Sequence, residues 1–465
     1  MDVRLLLCLV ALVALVAAAV LGLRALHCWP TRRASGIIAG GLAMLALAGF
    51  VVSTLDLLAP RAPLSAALSV YYTEGGTLEA ASAATGTVRW RYTPPSPTSS
   101  IYPNRLPPFA NGVFYVNTDG ALRAVRGRDG QELWAVPIAG RAFDQQEPAI
   151  DQGVVYATSA ASVVALRAAD GHPLWQTSQG ATPGSATSAP QVANGSVYVA
   201  FSAAAATIYA LDARSGAIRW TYTVAAADAT SLTVVEGVVY AAFGDRGSGV
   251  QPTTVVALGA GDGAVRWKYT VKGDAEPIAV TDGVLLLSGQ LVGLIALDAA
   301  SGRLLWQRGD LGLHGDLTAS QVPIVADGVV YVSGILFQVN NASRGVVLAQ
   351  DARTGRERWR TLLEDADIYV SLAGTMLYVG GRYAYALRAS NGHVVWRYGA
   401  PALYYQPVEA DGVVFIGSTD FPNSDTVHLF GIGSNDFLTA LDARTGALYW
   451  RTSADVECMP LLFSS

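Results

Sequence analysis

The sequence predicts an all-β propeller of eight or nine four-stranded blades, and three observations carry that prediction. One pattern, complete at Ala440-Leu441-Asp442-Ala443-Arg444-Thr445-Gly446-Ala447-Leu448-Tyr449-Trp450, recurs nine times along the 465 residues. Its glycines are Gly86, Gly130, Gly171, Gly216, Gly263, Gly302, Gly355, Gly392 and Gly446. A tryptophan follows each by four residues: Trp90, Trp134, Trp175, Trp220, Trp267, Trp306, Trp359, Trp396 and Trp450, so nine of the ten tryptophans hold one position of one repeat. An alanine precedes each glycine by six: Ala80, Ala124, Ala165, Ala210, Ala257, Ala296, Ala349, Ala386 and Ala440. A period of 37 to 54 residues marks an array of stacked units.

Each unit reads as strands around tight turns. Ile208-Tyr209-Ala210-Leu211 is apolar on both faces, as a strand covered on both sides requires. Asp212-Ala213-Arg214-Ser215-Gly216 is the turn, and its glycine supplies the positive φ that closes a hairpin. Small polar residues that bond nearby amides stand before every repeat glycine, from Thr85 to Thr445. Ile218-Arg219-Trp220-Thr221-Tyr222 then alternates like a strand wet on one side. A third strand lies upstream, as in Gly153-Val154-Val155-Tyr156, and before it a short proline-bearing segment, as in Glu147-Pro148-Ala149-Ile150. Four short strands per ~40–45 residues is a propeller blade. The tryptophans read as packing groups that bury a large flat ring against the next blade, with the alanine leaving room for it.

The spacing Ala-x-Asp-x-x-Thr-Gly-x-x-x-Trp resembles the tryptophan-docking motif of the quinoprotein alcohol dehydrogenase-like, or PQQ-like, propellers. Units ending at Trp220, Trp306, Trp359 and Trp450 keep the aspartate (Asp212, Asp298, Asp351, Asp442); the others have Ser82, Arg126, Arg167, Gly259 and Arg388 there. The resemblance covers residues 68–465. Members of this family close most often with eight blades, whereas nine units are counted here. Either the ring has nine, or one degenerate unit lies outside it, the turns before Trp134 and Trp175 being the least regular.

Composition points to a membrane part as well. The chain is 51% hydrophobic and 14% charged, with mean hydropathy +0.33, more apolar than a wholly soluble protein. Two apolar runs, 5–23 and 36–55, each approach the ~20 residues of a transmembrane helix. The loop 24–35 between them carries Arg24, Arg32 and Arg33, which places it on the cytoplasmic side and the propeller outside. A cleaved signal peptide is the competing reading of the first run, although its basic region amounts to Arg4 alone. A lipoprotein reading of Cys28 fails on His27, where that processing signal needs a small residue. The expected organisation is therefore an anchor at 1–57, a Pro/Ala linker at 58–67 and a propeller at 68–465.

From residue 61 on, removing Arg4, Arg24, Arg32 and Arg33 from 31 basic residues leaves 27, and removing Asp2 and Asp56 from 36 acidic residues leaves 34. A net charge of −7 argues against a nucleic-acid or anionic-surface partner. Cys458 is the one propeller cysteine, so no disulfide framework forms within the domain. The first unit starts at Ser69-Val70-Tyr71-Tyr72 without a proline-bearing inner strand, and Cys458-Met459-Pro460-Leu461-Leu462-Phe463 supplies the missing piece from the other end. That strand is expected to close the ring and remove the exposed edges.

Insertions at 244–254, 333–343 and 418–436 fall between second and third strands, on the face shared with the connections between blades, where function concentrates. Candidates for a ligand-facing rim are Glu147, Glu276 and Gln406, each before an inner-strand proline, with Tyr404 and Tyr405; Asp144, Asp274, Asp316, Asp365 and Asp367 lie in the interblade loops. The five histidines share no ligand spacing, and no phosphate loop or nucleophile elbow occurs.

The resemblance implies two functions, and the aromatic residues of the loops a third. One is a non-catalytic interaction platform similar to the propellers of outer-membrane assembly lipoproteins, without cofactor, metal or catalytic residue and with an unidentified protein partner. The second is a membrane-bound quinoprotein dehydrogenase of alcohols or sugars, which would need pyrroloquinoline quinone and calcium held by acidic and amide ligands. The adjacent-cysteine clamp of some such enzymes is absent here, though sugar-oxidising members manage without it. The third is a carbohydrate-binding or sensor ectodomain using Tyr369, Tyr404 and Tyr405.

Overall fold

A computed structural model describes the chain from Leu68 to Ser464. The segments 96–105, 139–145, 179–184, 245–251, 309–322, 338–342, 421–434 and 454–461, some shorter gaps, and residues 1–67 are outside the described residues. The two apolar runs expected to cross a membrane, the basic loop and the linker fall in that last stretch. Among the described residues no helix is long and apolar enough to span a bilayer.

The described strands form nine antiparallel sheets, one for each repeat. Blade 1 is Ser69–Glu74, Thr77–Ser82 and Val88–Tyr92, with Leu462–Ser464 added on the inside. Blades 2 to 9 follow in chain order and end on the outer strands that carry Trp134 through Trp450. The choice between eight and nine blades is thus settled at nine. The units before Trp134 and Trp175 are full members, Phe109–Pro137 and Ala149–Ser178 each giving four strands. Blades 4 and 9 split the inner strand in two: Ser185–Ala186 and Gln191–Ala193 both pair with Ser196–Ser202, and Leu403–Tyr404 and Val408–Ala410 both pair with Val413–Asp420.

Closure comes from the carboxyl end, as expected, but a few residues further along the chain. Val70 faces Phe463 and Tyr71 faces Leu462, while Met459, Pro460 and Leu461 lie outside the described residues. The insertion at 333–343 is largely strand: Val329–Phe337 and Ser343–Asp351 run as one long hairpin.

Two turns recur on one face of the disc. Between inner and second strands sits a pair such as Asn194-Gly195, both at positive φ (50° and 70°), the geometry of a type I′ hairpin. Between third and outer strands sits the repeat turn, where Gly216 N–H donates to Asp212 C=O at 2.8 Å. The four turns without the expected aspartate beyond blade 1 keep this bond: Gly130 to Arg126, Gly171 to Arg167, Gly263 to Gly259 and Gly392 to Arg388, each 2.8 Å. Their polar partner has moved three residues on, and Asp129, Asp170, Asp262 and Asn391 accept from the amides of Gln131, His172, Ala264 and His393.

The apolar core lies between blades. Tyr198, Ala210 and Trp220 of blade 4, for instance, pack with Val239, Val256 and Leu258 of blade 5. Every outer hairpin carries a bulge directly after the motif alanine, as between Ala210 and Leu211. That extra residue sets tryptophan opposite alanine and turns the ring toward the next blade.

Candidate functional site

The repeat motif builds the seams. Each indole N–H donates to a backbone carbonyl of the following blade: Trp90 to Gly127, Trp134 to Ala168, Trp175 to Ala213, Trp220 to Ala260, Trp267 to Ala299, Trp306 to Ala352, Trp359 to Ala389 and Trp396 to Ala443, at 2.8–3.0 Å. Trp450 donates back to Ala83 at 2.8 Å. The nine bonds form a closed cycle. The rings also lie on the next blade's turn glycine: a β-carbon at Gly263 would stand 2.7 Å from Trp220, and one at Gly446 2.7 Å from Trp396. All nine motif alanines are fully buried.

Sequence reasoning missed the partner on the other side of each alanine. Tyr71, Tyr115, Tyr156, Tyr198, Tyr240, Tyr331 and Tyr378 stand opposite it in register, with Leu286 in blade 6 and Phe415 in blade 9. The alanine thus separates two rings, and the seven tyrosines meet their tryptophans at 5.9–6.1 Å between centroids. In five blades the phenol donates to the carbonyl that the indole already uses: Tyr156 to Ala213, Tyr198 to Ala260, Tyr240 to Ala299, Tyr331 to Ala389 and Tyr378 to Ala443. Burial pushes the Tyr378 phenol up to about 12, with the Glu409 and Asp442 carboxylates adding to it.

The seam between blades 6 and 7 departs from this plan. Leu286 replaces tyrosine, and the residue after the motif alanine, elsewhere Ala81, Val125 or leucine, is Gln350. Its equivalents Leu211, Leu258 and Leu297 pack into the seam with the preceding blade. Gln350 is fully buried there, and neither end of its amide finds a hydrogen-bond partner among the described residues.

The motif aspartates anchor the turns. Asp212 accepts from the Ser215 amide and hydroxyl at 2.8 Å each, and from Arg219 at 2.6 Å. Asp351 repeats this with Thr354 and Arg358. The Arg358 guanidinium and the Thr354 hydroxyl hold the Asp351 carboxyl down at about 2.

The rim candidates come from three different blades. Glu147, Glu276 and Gln406 stand at the entry to blades 3, 6 and 9, so two blades separate each from the next. Glu147 and Gln406 are exposed and Glu276 is half-buried. Gln406 spans a seam, its amide donating to the Val370 carbonyl at 3.2 Å. Tyr404 and Tyr405 face inward, at 2% and 9% exposure. Tyr404 packs with Tyr378, Trp396 and Val414, and the Tyr405 hydroxyl lies 2.9 Å from Thr419 Oγ1. Their rings are spent on packing. Tyr369, half-buried, tilts against Tyr405 at 6.4 Å. Asp144, Asp274, Asp316, Asp365 and Asp367 lie outside the described residues.

A calcium–quinone pair needs several acidic and amide groups on one centre. Among the described residues no three His, Cys, Asp or Glu side chains come together in a way that could hold a metal.

A closed ring of docked tryptophans defines a PQQ-repeat propeller. The chain belongs to the PQQ-repeat family whose model is described as outer membrane protein assembly factor BamB, which it matches over 42–201, 160–252, 206–340 and 343–465. It is 31% identical over 133 residues to BamB of Yersinia pestis, 25% of this chain and 30% of that protein. It is 28% identical over 169 residues to the tetrathionate hydrolase of Acidithiobacillus ferrooxidans, 34% of this chain and 30% of that protein. The chain thus spans less than a third of the length of these curated relatives. Among solved structures, the dihydro-heme d1 dehydrogenase NirN matches with a TM-score of 0.51 at 12% identity, over 85% of this chain and 75% of that one. That likeness concerns the fold alone.

Proposed function

We propose that this protein is a membrane-anchored, extracytoplasmic propeller that serves as a non-catalytic platform for a protein partner. The family match carries the reading: models of an assembly factor cover the whole propeller. The seams support it. A ring whose aromatic and turn residues are consumed in blade-to-blade packing is a rigid scaffold, and its free chemistry lies in the loops between second and third strands. Apolar runs 5–23 and 36–55 would hold the disc at the outer surface of the membrane.

The test is partner capture from native membranes with the full-length tagged chain and chemical cross-linking. The expected result is one stoichiometric membrane partner that is lost on deleting 421–434 and kept on deleting 245–251. Uptake of pyrroloquinoline quinone with calcium, followed by dye-linked alcohol or sugar oxidation, would overturn the reading in favour of the dehydrogenase.

A further inference from the structure

Nine seams of one design stand side by side, and eight of them share two packing features. An aromatic ring of the second strand, tyrosine in seven blades and Phe415 in blade 9, meets the docked tryptophan at 5.9–6.1 Å. The residue after the motif alanine is buried and aliphatic, being Ala81, Val125 or one of six leucines. The seam between blades 6 and 7 has neither. Leu286 takes the place of the ring, opposite Ala296. Gln350 takes the place of the aliphatic residue, fully buried, with no partner for either end of its amide among the described residues.

Hydrogen bonds across the seams follow the same division. Five seams have the phenol as a second donor to the carbonyl that the indole uses. Three others add a different tie. Tyr92 donates to Glu132 at 2.5 Å between blades 1 and 2, and Asn117 Nδ2 to the Gln146 carbonyl at 3.2 Å between blades 2 and 3. Blades 9 and 1 share the closing strand Leu462–Ser464. Between blades 6 and 7 the indole bond from Trp306 to Ala352, at 2.9 Å, is joined by a long contact at the surface, the exposed Arg353 guanidinium donating to the Asp282 carbonyl at 3.4 Å. Aromatic contact and a filled apolar site favour a closed joint. An amide sealed from water without a bond opposes it, because opening returns that amide to water. Both differences push the same way.

We propose that the joint between blades 6 and 7 is where the ring opens first, the two blades parting transiently while the other eight seams stay closed. An array of similar units is held by nearest-neighbour contacts, so its lowest-energy opening lies at the weakest of them. A buried polar group without a partner is a cost that native structures rarely keep, and this one sits at the seam that also lacks its ring. The inference goes beyond the platform reading and does not rest on it. A bound partner shifts only an equilibrium that already exists, and this joint is where the disc supplies one.

Each seam carries its own reporter, the indole N–H held in its hydrogen bond. Hydrogen exchange at the nine indoles is followed by NMR on the full-length chain labelled at tryptophan, in detergent, each signal assigned by its Trp→Phe variant. Trp306 is expected to exchange at least about tenfold faster than Trp267 and Trp359 of the flanking seams. Low urea should speed Trp306 before the others, as an opening that bares seam surface requires. The Leu286→Tyr/Gln350→Leu variant gives this joint the residues of its neighbours. It should slow Trp306 to their range and leave Trp220 unchanged. A Trp306 no faster than the flanking indoles, or indifferent to urea or to the double substitution, overturns the proposal. So does a faster Trp450, which would put the first opening at the ring closure. The wild-type comparison decides the matter even where a variant fails to fold.

Discussion

The indole N–H of Trp450 donates to the carbonyl of Ala83, 2.8 Å away and 367 positions earlier in the chain. It repeats across the ring closure the contact that Trp220 makes with Ala260 between neighbouring blades. Closure therefore uses two devices, this seam and the three-residue strand Leu462–Ser464 on Ser69–Tyr71. Deleting 462–465 should remove the strand and leave the seam. The expected outcome is a folded ring with a lower melting temperature and faster amide exchange confined to 69–74. Global unfolding on deletion would show that the strand, and not the tryptophan, holds the ends.

Seam glycines and the glycines of the turn between inner and second strands separate two costs. Gly153 has φ 78° with open space around its missing β-carbon, while Gly263 has φ 68° with Trp220 lying against it. Gly153→Ala should cost the backbone strain alone, about 1–2 kcal/mol. Gly263→Ala adds a displaced indole and should cost about 3 kcal/mol or more. Denaturant titration of the two variants decides it, and equal losses would mean that the docked ring does not depend on the glycine.

The buried amide of Gln350 is expected to be a liability. Gln350→Leu removes two unsatisfied polar atoms and should stabilise the protein by about 1–3 kcal/mol. Adding Leu286→Tyr should raise the melting temperature further by restoring the tyrosine that donates to the seam carbonyl in five other blades. A destabilised Gln350→Leu would indicate that the amide is satisfied in solution.

Carbonyls with two donors should tolerate the loss of one. Trp267→Phe leaves the Ala299 carbonyl bonded to Tyr240. Trp306→Phe leaves Ala352 without the indole that donates to it, across from Leu286. The second variant should lose more stability, by about 1 kcal/mol, in paired thermal melts.

Acid should loosen the turns. The Asp351 carboxyl is held at about 2, below its ordinary 3.8, chiefly by Arg358. A depressed value contributes stability that is complete above pH 4 and lost as pH falls toward 2. Asp298 is lowered in the same direction by the Ser301 hydroxyl, and Asp212 by Arg219. The melting temperature should fall between pH 4 and 2, and less steeply in Asp351→Asn; identical slopes would remove the turn from the account.

The choice between eight and nine blades in the ring stayed open until the sheets were seen, but the number of repeats, the strand order and the docking role of the tryptophans were legible because the glycine, tryptophan and alanine keep fixed spacing within one hairpin. The tyrosine column was not, for a physical reason. It sits on the second strand, across the loop that varies between blades, so its distance to the turn glycine runs from 14 residues (Tyr378 to Gly392) to 31 (Phe415 to Gly446). Aligned instead on the first turn, Tyr115, Tyr156, Tyr198, Tyr240 and Tyr331 all follow Gly112, Gly153, Gly195, Gly237 and Gly328 by three. The small residues that accept the indole bond, Ala213 and its equivalents, hold a constant place three before the glycine and could have been found by the same alignment. Tyr404 and Tyr405 looked ligand-facing because an aromatic pair beside a proline reads alike whether its rings turn in or out. Burial depends on the neighbouring blade, which a linear reading does not reveal.

Because every indole measures only the wedge beside it, no single junction records how many wedges there are. Tandem duplication of one whole unit in the coding sequence would repeat the same joint once more and enlarge the ring by one wedge. Relatives with different counts can then share one joint, and the size of the ring is inherited as copy number rather than written into any residue.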